Sequence, residues 1–178
     1  MTTYHFDPAA GTHLPGGLSP TTALAELDRL HLGHAALRLD QHADRLELAG
    51  EVPDAALRER IILALGNLNG VAAVEDRLAA AKAPGLLESL AGFARLPAGA
   101  ADLQAAHVAM DALPPEPGSR FGPAGSLFHP VRAGESLAEL ARRHYGDATE
   151  VPRLMAANAP ALPPGEPPTG WVLRIPAR

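Results

Sequence analysis

The sequence predicts an α+β protein of two small domains, an αββαβ unit and then a βααβ unit. Three observations predict this. Residues Ala36-Leu37-Arg38-Leu39-Asp40 and Arg45-Leu46-Glu47-Leu48-Ala49 alternate apolar and polar side chains, as half-buried strands do. Several stretches instead repeat apolar residues at helical spacing, each opened by a capping residue or proline. Between the two groups lies a run from Pro114 to Gly125 with four prolines and three glycines, which reads as a semi-rigid linker.

Taken in order, residues 1–18 carry Pro8, Gly11, Pro15, Gly16 and Gly17 and read as an irregular N-terminal segment. The first domain spans residues 19–80. Ser19 is an N-cap and Pro20 suits the first helical position, where its missing N–H costs nothing. Leu24, Leu27 and Leu30 give that helix an apolar face. Gln41-His42-Ala43-Asp44 connects the two alternating strands as a hairpin, with no Asn-Gly or Asp-Gly pair. Pro53-Asp54 opens a second helix whose Leu57, Ile61, Leu65 and Leu68 share a face. Gly66-Asn67-Leu68-Asn69-Gly70 ends it, and residues 71–78 form the last strand.

Residues 81–113 hold two weaker helical patterns, split by Pro97-Ala98-Gly99, and read as a helical insert. Residues 114–126 are the linker and 127–178 the second domain. There Ser136 stands three residues before Glu139, a capping box in which each side chain satisfies a backbone N–H. Leu137, Leu140 and Ala141 form the inner face, and Gly146 is placed for a left-handed C-cap. A second helix begins near Thr149, tolerates Pro152 in its first turn and stops before Pro160. Trp171, Leu173 and Ile175 then alternate along a final strand.

The 178 residues include no cysteine, which excludes disulfides and thiolate chemistry. The net charge of −5 argues against a nucleic-acid surface, which needs clustered Lys and Arg. No stretch reaches the ~18 apolar residues of a membrane span. Residues 1–8 lack the basic and apolar regions of a secretory signal, so a cytoplasmic location is expected. No nucleophile elbow, P-loop or dinucleotide motif is present, and no catalysis is expected. Of the eight histidines, His31 and His34 are three apart and His42 lies between Asp40 and Asp44. None has zinc spacing with a third ligand.

Two family resemblances rest on these residues. Leu48-x-Gly50-x-Val52, the helix after it and Gly70-Val71-x-x-Val74-x-Asp76-x-Leu78 resemble a BON domain. One departure is Ala43-Asp44 where that family has Asp-Gly, which implies a looser turn. Val131, Gly134-Glu135-Ser136-Leu137, Leu140-Ala141, Tyr145-Gly146-Asp147, Leu154, Ala157-Asn158 and Val172-Leu173-Arg174-Ile175-Pro176 resemble a LysM domain, over nearly all of 127–178. That resemblance implies a shallow groove for N-acetylglucosamine glycans such as peptidoglycan, formed by Gly134, Glu135, Ser136, Leu137, Asn158, Ala159 and Pro160.

A BON domain followed by a LysM domain is similar to the bacterial cytoplasmic potassium-binding proteins. The resemblance implies binding of a potassium ion, compaction on binding and no catalysis. Residues 1–17 do not show the N-terminal helix of those proteins, and the insert is longer than their linker. Potassium is large and weakly hydrated, and proteins select it with backbone carbonyls in place of its water shell. A glycine-flanked irregular loop can present such carbonyls, so Gly66, Asn67, Leu68, Asn69, Gly70 and Val71 are the candidate potassium ligands. The alternatives are a glycan-binding protein acting through the second domain, or an adaptor in a phage-tail-like assembly with a protein partner.

Overall fold

The computed structural model describes residues 2–80 and 118–177. It is a mixed α+β fold with two sheets and four α-helices among those residues. The expected helical insert, residues 81–113, and Pro114 to Pro117 of the expected linker lie outside the described residues.

The first module is βαββαβ, one strand more than the sequence predicts. Thr2–His5, expected to be irregular, forms β1 and pairs antiparallel with β4 (Ala73–Ala80), placing Tyr4 opposite Val74. Four residues are too few for periodicity to register, and the proline and glycine that follow mask them. β2 (Leu37–His42) pairs antiparallel with β3 (Arg45–Val52), and β3 runs parallel to β4, giving the order β1-β4-β3-β2. The β2–β3 connection is tight, not loose. Only Ala43 and Asp44 lie between the strands, and Ala43 adopts φ 56.

Helix α1 (Pro20–Arg29) has the Ser19 cap, and Thr22 completes a capping box. Helix α2 (Ala55–Gly66) is capped by Asp54, whose Oδ1 accepts from Leu57 N at 2.7 Å. Tyr4, Leu39, Leu46, Leu48, Val74 and Leu78 supply the sheet side of one core. Leu27, Ile61, Ile62 and Leu65 supply the helix side. Every residue from Ile61 to Leu68 is buried, not one stripe alone. A helix apolar all round has partners all round, and here the second partner is the other module.

That module holds a three-stranded sheet, β5 (Arg120–Phe121), β6 (Leu127–Pro130) and β7 (Val172–Ile175), in the order β5-β6-β7. Helices α3 (Leu137–Tyr145) and α4 (Val151–Asn158) lie between β6 and β7, and a 3-10 turn at Ala148–Glu150 leads into α4. The expected capping box and the Gly146 cap at φ 82 are both present. Leu140, Ala141, Leu154, Trp171, Leu173 and Ile175 form a second core.

The C-terminal part of the expected linker is built into the fold. Arg120 and Phe121 pair with Leu127 and Phe128, and the turn between them is tied to α2. β7 is buried on both faces: Leu173 and Ile175 point into the second core, while Val172 joins the first, together with Phe128. Burying an aromatic or branched aliphatic side chain is worth about 1.5–3 kcal/mol. Two such residues crossing between modules make one packed body of the described residues.

Candidate functional site

The loop at residues 66–71 starts where α2 runs out. Asn67 N–H still donates to the Leu63 carbonyl at 2.9 Å, and Leu68 N–H makes a tighter turn to Leu65. Gly70 then adopts φ 90, a conformation side chains resist.

The segment after β1 folds back over this loop. Phe6 N–H donates to the Ala72 carbonyl at 2.9 Å, and Thr12 N–H to Asn67 at 2.8 Å. In return, Asn69 N–H donates to Thr12 at 2.9 Å and Gly70 N–H to Pro8 at 2.8 Å. The Asn69 Nδ2 also reaches the Pro8 carbonyl at 3.0 Å. A side chain at Gly11 would run into the Leu68 carbonyl, so glycine permits the close approach.

The loop's carbonyls divide into two sets. Those of Asn67 and Leu68 accept from Thr12 and Val71. Among the described residues, no hydrogen bond ends on the carbonyls of Gly66, Asn69, Gly70 or Val71. Gly66 and Val71 are buried residues, and buried backbone carbonyls ordinarily find a partner.

The same loop touches the second module. The Asn67 side chain is buried; its Nδ2 donates to the Val172 carbonyl and its Oδ1 accepts from Val172 N–H, both at 2.8 Å. Asn67 thereby acts as a short strand partner for β7. Gly170, just before β7, lies close against Asp7 and Ala10 of the N-terminal segment.

About two turns back along α2, Glu59 is fully buried. Its carboxylate accepts from Arg174 Nε at 2.6 Å and from the backbone N–H groups of Ala124 and Ser126 at 2.7 and 3.3 Å. The sequence reading missed Glu59, Arg174 and the segment at residues 6–12. The available signal was a carboxylate beside the unbroken apolar run Ile61-Ile62-Leu63-Ala64-Leu65, which a half-exposed helix would not carry.

The residues of the implied glycan groove lie on two segments of the second module, before α3 and at the end of α4. Gly134 turns the chain at φ 81. Ser136 caps α3, and Leu137 is buried, its N–H donating to Glu166 Oε2 at 2.8 Å. Glu166 comes from the long α4–β7 loop and satisfies this helix-start amide. The Glu135 carboxylate takes His129 Nε2 at 2.8 Å, Arg132 N–H at 2.9 Å and Arg143 at 2.6 Å. Burial alone would raise its pKa, but the His129, Arg132 and Arg143 hydrogen bonds outweigh it and hold the group at about 2.

Asn158 is a structural clamp. Its side chain donates to the Leu154 and Arg174 carbonyls and accepts from Arg174 N–H. Ala159 and Pro160, joined by a cis peptide, line a cleft of about 20 Å³ against Leu32, Arg60 and Leu63 of the first module. That volume suits about one water molecule.

Ser119 Oγ lies 3.3 Å from His129 Nδ1, with Glu135 on the other ring nitrogen. This arrangement has the order of a hydrolytic triad. Ser119 is 4% exposed and His129 0%, so both side chains are largely shielded from solvent. His31 and His34 contact backbone carbonyls of Asp28 and Leu32. Among the described residues no group of three or more His, Asp or Glu side chains is placed to hold a metal ion. No described helix is long and apolar enough to cross a membrane.

A scan against protein-family models and a search of curated proteins found no match to this chain.

Proposed function

We propose that this chain is a non-catalytic potassium-binding protein whose ion is held by main-chain carbonyls of residues 66–71. One observation carries the reading: the carbonyls of Gly66, Asn69, Gly70 and Val71 accept no hydrogen bond from the described residues, in a loop clasped by the N-terminal segment. Carbonyl dipoles that replace a hydration shell suit a large, weakly hydrated cation. A site of this kind needs no carboxylate and leaves a faint trace in side-chain chemistry. The resemblance to BON–LysM potassium-binding proteins supports the same reading, and it implies a cytoplasmic setting.

The clasp also supplies a route from ion to conformation. The loop bears on β7 through Asn67, and the N-terminal segment bears on Gly170. An ion that stiffens the loop then favours the docked arrangement of the modules, the compaction that the resemblance implies.

A ligand bound only by the folded state stabilises it by RT ln(1 + [L]/Kd), about 2.7 kcal/mol at a hundredfold excess over Kd. Thermal melts in potassium, rubidium, caesium and sodium chlorides at equal ionic strength test the reading. The larger ions are expected to raise the midpoint above that in sodium. Substituting Gly70 by valine is expected to abolish the difference, because φ 90 resists a β-branched residue. Identical midpoints in potassium and sodium would overturn it.

A further inference from the structure

A second cleft lies between β1 and β5. Its volume is about 280 Å³, and its lining includes Tyr4, His5, Phe6, Ser119, Arg120 and Phe128. Both flanking strands are sheet edges, since β1 pairs only with β4 and β5 only with β6. The rings of Tyr4 and Phe128 pack at 5.2 Å and give the cleft an aromatic floor.

The charge at its rim is one-sided. Arg45, Arg58 and Arg174 each hold a carboxylate. Arg120 instead donates to the Thr3 carbonyl at 2.9 Å, and among the described residues it has no acidic partner. Among the described residues no carboxylate lines the cleft. Burial, helped by the Asp76 carboxylate, pushes the Tyr4 phenol up to about 12, so it adds no negative charge. The groove thus offers a guanidinium with donors to spare beside an aromatic surface. Arginine's fixed fork of donors matches a carboxylate in two-point geometry, and charge-assisted bonds of this kind are the strong ones. Pockets that combine apolar walls with a few polar groups are where small ligands bind.

We propose that this cleft binds a small organic carboxylate with an apolar body. The body lies on the Tyr4, Phe6 and Phe128 side, and the carboxylate meets Arg120. The proposal does not rest on the cation reading, although the Phe6 ring lies against Gly66 of that loop.

The test is an amide NMR titration of the full ¹⁵N-labelled chain with phenylacetate, with phenylacetamide as the neutral probe of the same shape. Saturable shifts are expected at Tyr4, His5, Ser119 and Arg120 for phenylacetate. The amide should bind roughly tenfold more weakly or worse, the loss expected when a charge-assisted bond becomes a neutral one. Arg120→Gln should bring phenylacetate down to the amide's level, and Arg120→Lys should retain part of the difference. If Arg120→Gln does not fold, the two probes on the wild-type chain still decide. The proposal is overturned by equal binding of both probes. It is equally overturned by no saturable shift up to roughly 20 mM, a concentration that fills a millimolar site.

Discussion

Glu59→Ala is expected to be among the most damaging single changes in the described part of the chain. The carboxylate has no exposed surface and takes three donors, one of them the Arg174 guanidinium, whose side chain is only 12% exposed. Removing one partner of a buried ion pair costs about 3–5 kcal/mol, because the other charge stays desolvated without compensation. The Ala124 and Ser126 amides lose their acceptor as well; water can replace that loss at the partly buried Ala124 but less so at the buried Ser126, whose bond is the longer at 3.3 Å. About 3–5 kcal/mol is therefore the expected total. Glu59→Gln keeps the volume and one acceptor oxygen, so a smaller loss of about 1.5–3 kcal/mol is expected. Replacing Glu59 and Arg174 together by methionine removes both charges and should fall within about 1 kcal/mol of wild type. Urea unfolding with linear extrapolation measures all three. Since the pair joins the two modules, the wild-type transition should also be single and cooperative. The reasoning is refuted if Glu59→Ala costs less than about 1 kcal/mol, or if the double replacement costs the sum of the two single ones.

Two further outcomes follow from local geometry. Glu135 has a folded pKa of about 2, below its ordinary value, so its contribution to stability is present above pH ~4.5 and is lost as pH falls toward 2. Glu135→Gln should therefore flatten the fall of unfolding free energy between pH 5 and 2, by up to about 1.4 kcal/mol per pH unit, and an unchanged acid limb would contradict the assignment. Ala43→Gly should stabilise the β2–β3 hairpin by about 0.5–1 kcal/mol. Relief of the left-handed φ exceeds the extra chain entropy of glycine there, and a lowered melting point would contradict it.

Most secondary structure was legible in the sequence because it is local. The Ser19 and Ser136 caps, the alternation in β2 and β3 and the glycine at position 146 each act within a few residues. A four-residue edge strand such as β1 has no such local signal. It exists because β4 offers it a partner about seventy residues away. The tight turn at Ala43 was misread for a related reason: strand pairing holds an alanine where its own preference would not.

The candidate cation loop was visible as a glycine-bounded break in a helical pattern. What covers it was not. Composition cannot tell that residues 6–12 return to clasp residues 66–71, or that the Asn67 amide pairs with Val172 across 105 positions.

By itself the sequence determined the α+β class, the caps of α1 and α3, the aliphatic character of the cores and the absence of thiol chemistry. Periodicity, capping and composition are properties of neighbours along the chain. Only the tertiary structure decided that the two modules share a core, that Val172 and Phe128 face the first module, and that Glu59 is buried rather than solvated. Those outcomes depend on which surfaces meet. A carboxylate on a helix has the same local signature whether water or an arginine from the last strand neutralises it.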